Sequence, residues 1–270
     1  MDMFDIKERV IVITGGYGVL GASMARCLSE SGAHVVIVGR KADKGEALVA
    51  ELSALGAEAL FCKADVLDRE ALIAAREAII AKWGRIDVLI NAAGGNMPGA
   101  TIRPDQSFLD IDFSAFGGVM NLNLMGTVIP TVVFGEQMAA QKSGSIINIS
   151  SMTAQSVVTR VVGYSASKAA IDNFTRWMSV EMAKKVGEGV RVNAIAPGFF
   201  ITEQNRSLMT NPDGSLSDRA KDVVRATPFG RLGQAEELHG AVIFYASDAS
   251  KFVTGTVLPV DGGFNIFSGV

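Results

Sequence analysis

Cysteine is scarce: Cys27 and Cys62 are the two in the chain. Each lies in an apolar stretch and reads as a buried, reduced thiol. A disulfide between them is the lesser reading, and a zinc site would need partner ligands that the sequence does not cluster. Histidine is as scarce, and His34 and His239 stand apart. Structural roles are expected of both, and no metal is expected. Positive charge is not in excess. The formal net charge is -3, which leaves no footprint for nucleic acid and no attraction to anionic lipid. No apolar run reaches the ~20 residues of a membrane span. The opening stretch MDMFDIKERVIVITGG puts acidic residues ahead of its first apolar run, unlike a secretory leader. These absences point to a soluble, cytoplasmic protein in a reducing compartment, with neither membrane nor nucleic acid as partner.

About half the chain is present as apolar residues, 49%, against 20% charged. That is enough to build a core without metals or disulfides. Compact β-branched runs at Val10–Ile13, Val35–Val38, Ala59–Lys63, Val88–Asn91, Ser145–Ser150 and Val190–Ile195 read as strands. Amphipathic stretches at Gly18–Glu30, Lys44–Leu55, Arg69–Trp83, Val119–Gln141 and Ala166–Lys185 read as helices. Gly32 and Gly56 follow two of them and suit helix C-termini. Strand alternating with helix, with strands apolar throughout, predicts a parallel sheet buried on both faces. The expected fold is therefore α/β, a doubly wound parallel sheet with helices on both faces (Rossmann type). Without repeats or a linker, residues 1–270 form one domain. Two polar stretches rich in Gly, Pro and Asp break the alternation, at about 95–118 and 199–229. Long irregular segments after strands in such sheets suit substrate loops.

The first strand runs into Thr14-Gly15-Gly16-Tyr17-Gly18-Val19-Leu20-Gly21 and then a helix. Gly15 permits a tight turn, Gly21 permits close packing of helix on strand, and the helix N-terminus offers free N–H groups to a pyrophosphate. An ordinary glycine-rich loop would look similar. The flanking strand, helix and second βα unit favour a dinucleotide. The second strand ends Val38-Gly39-Arg40-Lys41. A carboxylate at its end would bind the adenosine ribose of NAD, and Gly39 has none. Arg40 and Lys41, with Lys44 nearby, could neutralise the 2′-phosphate of NADP, so NADP is expected over NAD. The same cations also suit a solvated helix start. Asp65, after the third strand, could hydrogen-bond the adenine amino group.

Farther along stand Asp65-Val66, NAAG at 91–94, NLMG at 123–126, ISS at 149–151, YSASK at 164–168, NAIAPG at 193–198 and DGG at 261–263. In this order, and with this interval from Ser151 to Tyr164, the chain resembles the short-chain dehydrogenases/reductases over nearly its whole length. The resemblance implies hydride transfer between a nicotinamide cofactor and a carbonyl or secondary alcohol. It implies catalytic roles for Asn123, Ser151, Tyr164 and Lys168. Tyr164 would be the acid, or the base in the oxidative direction. Lys168, four residues on and on the same helical face, would lower the phenol's pKa from ~10 and bind the nicotinamide ribose. Ser151 would hydrogen-bond the substrate oxygen, and Asn123 would hold a water that relays protons from Lys168. A surface Tyr–Lys pair would have the same spacing, and the accompanying motifs speak against it. The cofactor set implied is Gly15, Tyr17, Gly18, Val19, Leu20, Gly21, Arg40, Lys41, Asp65, Val66, Asn91, Ala92, Gly94, Tyr164, Lys168, Pro197, Gly198 and Thr202. The DGG segment is expected to shape a turn rather than do chemistry.

Three departures from the family pattern stand out. Val19 takes the place of the middle glycine, which predicts a shifted phosphate turn. Ala92 and Ala93 follow Asn91 where the family has a second asparagine. The 95–118 insertion is longer than usual. The insertion and NAAGGN resemble a subgroup of D-mannonate oxidoreductases (fructuronate reductases) and gluconate 5-dehydrogenase-like enzymes, implying a sugar-acid substrate such as fructuronate or mannonate. Asn96, Arg103, Gln155, Arg160, Asn205 and Arg206 are candidates to meet it, with Arg103 or Arg160 on the carboxylate. Each of them also suits an exposed loop. The alternatives are a 3-oxoacyl thioester reductase, which would share the catalytic set, and a non-catalytic NADP-binding sensor, which would have no use for Tyr164 and Lys168. The resemblance also implies a homotetramer, with Val119–Gln141 and Ala166–Lys185 pairing across one two-fold axis and Phe264–Val270 packing at another.

Overall fold

The β-branched runs pair into one seven-stranded sheet, in a computed structural model that describes residues 2–203 and 205–269. The strands are β1 (Val10–Thr14), β2 (His34–Gly39), β3 (Ala59–Lys63), β4 (Val88–Asn91), β5 (Gly144–Ile149), β6 (Val190–Pro197) and β7 (Val257–Val260). Their order is β3-β2-β1-β4-β5-β6-β7, and every pair is parallel. The order reverses direction between β1 and β4, which opens a crevice at the carboxyl ends of those strands.

The period of two along each strand divides the core. Ile11, Ile13, Val35, Ile37 and Ile90 face one layer, made by α1 (Val19–Glu30), α2 (Ala42–Ala54) and α9 (His239–Ala246). Val10, Val12, Val36, Val38 and Leu89 face the other, made by α3 (Arg69–Trp83), α5 (Gly126–Gln141) and α6 (Val162–Lys185). At ~25 cal/mol per Å² of apolar surface, this two-sided burial is the main stabilising term. Gly32, Gly56 and Gly84 follow α1, α2 and α3 with φ of +83, +85 and +73°, conformations that a Cβ would strain.

The irregular stretches contain more structure than expected. The first holds α4 (Phe113–Met120), started by the Asp112 carboxylate on the Ser114 and Ala115 N–H groups at 2.8 and 3.1 Å. The second holds α7 (Arg206–Met209) and α8 (Asp218–Ala226), the latter capped by Ser217. Helical periodicity was hard to read across the Gly and Pro residues between these short pieces. α4, a π turn at Asn121–Met125 and α5 form one run, Phe113–Gln141. By length and composition this run could cross a membrane, with mean hydropathy 1.4, which corrects the expectation that no segment would qualify. Its Thr127, Thr131, Phe134 and Met138 are instead packed inside the protein. Cys27 and Cys62 are both free thiols, and burial pushes Cys62 up to about 11. His34 stacks on Trp83, and His239 hydrogen-bonds Ser23 at 2.8 Å. No group of three metal-ligating side chains occurs among the described residues. Val270, the last residue of the apolar C-terminal segment, lies outside the described residues.

Candidate active site

The glycine-rich turn is fixed by contacts that exclude side chains. Gly15 has φ +64°, and a Cβ there would stand 2.8 Å from the Ala93 Cα. A Cβ on Gly21 would stand 2.8 Å from the Gly15 carbonyl oxygen. The Gly15 N–H donates to Val38 O at 2.8 Å and the Gly18 N–H to Gly15 O at 3.0 Å. Gly18 caps α1 with no side-chain hydrogen bond, so the first-turn N–H groups remain available to an anion. The expected shift of the turn does not produce strain. Gly18 has an ordinary extended backbone, and Val19 begins the helix with its side chain outward. No glycine is needed at position 19. The tightly packed, side-chain-free turn leading into the α1 N-terminus, with Gly18 at its cap, fits a dinucleotide pyrophosphate.

Thr14, at the end of β1, binds this turn to the next one. Its hydroxyl accepts from the Ala92 and Ala93 N–H groups, each at 3.2 Å. Asn91 turns inward, donating to Thr131 and Asn148 at 2.9 Å each, so only its backbone faces the crevice side. Val66 packs on Gly126 at the head of α5. Asp65 accepts from the Leu67 N–H at 3.0 Å and faces Arg40 across 3.6 Å. The Tyr17 hydroxyl accepts from the N–H groups of Arg40 at 3.0 Å and Lys41 at 3.1 Å.

Asn123, Ser151, Tyr164 and Lys168 converge beyond the carboxyl ends of β4 and β5. Asn123 sits in the π turn, where the extra residue per turn directs it at the β4 loop. Its amide donates to Gly95 O and Val119 O at 2.6 and 2.8 Å, and its oxygen accepts from the Gly95 N–H at 3.0 Å. A Cβ on Gly94 would lie 2.6 Å from that oxygen and 3.6 Å from the Lys168 Nζ. The Lys168 ammonium is buried, donates to Ile149 O at 2.7 Å and lies 5.4 Å from the Tyr164 ring centre. Burial pulls its pKa down to about 8, against the pull of Asp172. Ser151 shares a hydrogen bond with the Tyr164 phenol and also accepts from the Thr153 N–H at 3.2 Å.

The Tyr164 titration differs from expectation. Burial raises the phenol above its ordinary value, and the Ser151 bond only partly offsets this. Lys168 donates to the Ile149 carbonyl rather than to the phenol oxygen, so its charge does not act through a direct bond. In the same low-dielectric pocket both charged forms, tyrosinate and ammonium, are disfavoured. The set still has what reduction of a ketone requires: a phenol to give a proton, a hydroxyl to meet the oxygen, and a nearby proton-exchanging amine.

The substrate candidates scatter. Arg103 is exposed and 3.5 Å from Asp105. Asn96 donates to Thr101 at 2.8 Å. Asn205 accepts from the Thr202 N–H at 2.8 Å and donates to Phe200 O at 2.7 Å. It ties its own turn rather than facing outward, and the Thr202 hydroxyl is held with it at 3.3 Å. Gln155 bridges Asp172, at 3.4 Å, and Asn265, at 2.8 Å. Arg160 has φ +78°, and its carbonyl accepts from the Ile102 N–H at 2.9 Å, joining the two loops. Arg206 begins α7. Pro197 ends β6, and Gly198 is pressed on Asp261, a Cβ there falling 2.7 Å from its Cα. The DGG segment shapes that turn, as expected. A cavity of about 190 Å³ lies beside it, lined by Phe199, Thr227, Phe229 and Arg231 and by none of the four central residues.

Residues 18–265 match the family model described as enoyl-(acyl carrier protein) reductase. The chain belongs to the short-chain dehydrogenases/reductases. It is 45% identical to an uncharacterized oxidoreductase, UxuB, of Bacillus subtilis, across 98% of both chains. A solved structure from Haemophilus influenza, provisionally assigned as a D-mannonate oxidoreductase and holding NAD, is 39% identical with TM-score 0.91, across 98% of both chains. A gluconate 5-dehydrogenase from Burkholderia cenocepacia, in complex with NADP and tartrate, is 33% identical with TM-score 0.85, across 97% of both chains. The protein is thus an NAD(P)-dependent short-chain oxidoreductase acting on CH–OH groups.

Two residues near this short-chain dehydrogenase/reductase centre escaped the sequence reading. Asp172 is buried, accepts from the Ser150 hydroxyl and from Gln155, and its carboxyl is raised by burial. Its position one turn after Lys168 was the signal that could have found it. Arg219, on α8, donates to Thr159 Oγ1 at 3.3 Å and Thr159 O at 3.1 Å. Burial and the charge of Arg160 lower its pKa. No motif marks it, because only the folding of the 199–229 loop brings it to Thr159.

Proposed function

We propose that the protein interconverts a keto and a hydroxy sugar acid, of the fructuronate–mannonate or gluconate type. Tyr164 serves as acid or base, Ser151 meets the substrate oxygen, Lys168 exchanges the proton and Asn123 holds the relay beside it. Bound at the glycine-rich turn, the nicotinamide cofactor supplies or accepts the hydride. Residues 95–118 and 199–229 form the substrate loops of a single domain. Arg160 and Arg219 carry the reading of the substrate. Arg219, from α8, bonds Thr159 beside Arg160 on the segment just before Tyr164, and among the described residues neither arginine forms an ion pair with a carboxylate. Asp222, the acid nearest Arg219 in effect, is paired with Arg225 at 3.3 Å. Arg219 feels the charge of Arg160 while its own guanidinium is held by Thr159, and two cations without a carboxylate partner favour an anionic ligand such as a carboxylate. The tartrate in the complex of the gluconate 5-dehydrogenase relative is a compound of this kind.

The test is a panel of keto sugar acids and 3-oxoacyl thioesters, followed by the absorbance of the reduced cofactor. Turnover is expected on a sugar acid. Arg219→Met and Arg160→Met are expected to raise KM ~10-fold or more with less change in kcat, since the contact forms in ground and transition states alike. Turnover on thioesters alone would replace this reading with an oxoacyl reductase. Cofactor binding without turnover on any member would favour the sensor. The family pattern also supports a cytoplasmic homotetramer, which light scattering would check. On residue types, Arg40 and Lys41 support NADP; Tyr17 bears on that choice.

A further inference from the structure

The geometry points to Tyr17 as the residue that selects NAD against NADP, by occupying the place a 2′-phosphate would need. This rests on the dinucleotide reading of the glycine-rich turn. A 2′-phosphate requires N–H donors and cations at the end of β2, where α2 begins. The two N–H groups offered there, of Arg40 and Lys41, both donate to the Tyr17 oxygen, at 3.0 and 3.1 Å. Two of the three cations nearby are also engaged. The Arg40 guanidinium is 3.6 Å from Asp65, and the Lys44 ammonium is 3.3 Å from Glu203.

Gly39 completes the arrangement. A Cβ at Gly39 would fall 2.8 Å from Tyr17 Cζ and 2.9 Å from its Oη. A side chain at the strand end, including the carboxylate that would otherwise bind the ribose, would have to displace this ring. Tyr17 takes over that task with different chemistry. Its oxygen uses both acceptor sites on backbone N–H groups, which leaves one O–H to donate. One neutral donor matches a ribose hydroxyl. It cannot satisfy the charge and three oxygens of a phosphate monoester. The absent carboxylate at position 39, which on residue types favours NADP, thus goes together with Tyr17 lying over the strand.

The test is direct binding of NADH and NADPH to the full-length protein, read by nicotinamide fluorescence and by thermal shift, with no substrate present. Wild type is expected to bind NADH at least ~10-fold tighter than NADPH. Tyr17→Ser is expected to shrink that ratio ~10-fold or more, chiefly by strengthening NADPH. Tyr17→Phe keeps the ring over Gly39 but frees both N–H groups, and a partial shift toward NADPH is expected. If Tyr17→Ser does not fold, the wild-type ratio and Tyr17→Phe decide the matter. Equal or tighter binding of NADPH by wild type would overturn the inference, as would an unchanged ratio in the variants. Binding of neither dinucleotide would overturn the cofactor reading itself, a result distinct from the wrong preference.

Discussion

Replacing Lys168 with Met is expected to stabilise the fold while it destroys activity. The ammonium is buried, and its pKa falls from 10.5 to about 8. At ~1.4 kcal/mol per unit, holding the charge at neutral pH costs about 3 kcal/mol relative to the unfolded chain. Met conserves the volume and removes the charge. It also removes the 2.7 Å bond to Ile149 O, a loss of about 1–2 kcal/mol. The net gain at pH 7 is therefore about 1–2 kcal/mol, or roughly 2–6 °C in Tm for a chain of this size. The sign of the pH dependence follows from the same shift. Between about 8 and 10.5 the unfolded wild type binds more protons than the folded form, so wild-type stability rises with pH there. The advantage of the variant should be full below pH 8 and should shrink as pH approaches 10.5. Denaturant melts at fixed protein concentration, from pH 6 to 10, measure this directly. A variant less stable than wild type at pH 7, or a gap that does not narrow above pH 8, would refute the reasoning. Such a buried cation is costly to the fold, and a functional role accounts for its presence.

Three other outcomes are expected. Tyr164→Phe should lower kcat ~10²–10⁴-fold, the usual worth of a positioned acid or base, with NADH binding retained in a fluorescence titration; full activity would remove the phenol from the chemistry. Gly94→Ala should push Asn123 away, since the added Cβ meets its oxygen at 2.6 Å. A displacement of that size should lower kcat ~10²-fold, and unchanged kcat would show that Asn123 need not hold its position. Asp172→Asn should shift the pH profile of kcat/KM. Asp172 holds the Lys168 pKa up, so the limb due to Lys168 should move to lower pH, whereas an unmoved limb would make Asp172 merely structural.

Periodicity carried the layers because burial on both faces forces β-branched residues into every strand, and short motifs carried the centre because its members lie close to strand ends. Other features depend on contacts remote in sequence. The helix starting at Val162 was expected only from Ala166, since Val162, Gly163 and Tyr164 make a weak helical start. Tyr17 meets residues 40 and 41 only once β1 and β2 pair, so its hydrogen bonds have no local signature. Arg219 meets Thr159 across 60 residues, and its helix lies in a segment whose prolines and glycines hid the period. The Tyr164 phenol departs from what helical spacing predicts for a similar reason. Helical spacing brings Lys168 to the same face, but the depth of burial and the choice of Ile149 O as partner are set by the sheet.

The centre and the loops are held by different means, which separates the two parts of function. Lys168 is anchored on the backbone of β5, and Asn123 on the backbone of Gly95 and Val119. Ile149 and Val119 belong to the sheet end and an adjoining helix, while Gly95 opens the 95–118 loop. Arg160 and Arg219 depend on loop-to-loop contacts, Ile102 with Arg160 and Arg219 with Thr159. Substitutions in the loops beyond Gly95 can therefore redirect substrate binding while the backbone anchor of Lys168 stays in place. A separate tie is Gln155, which joins Asp172 beneath the centre to Asn265 in the C-terminal segment, itself held by Asp261 at 2.8 Å. Through Gln155 a change in the tail has a hydrogen-bonded route to Asp172 on the catalytic helix.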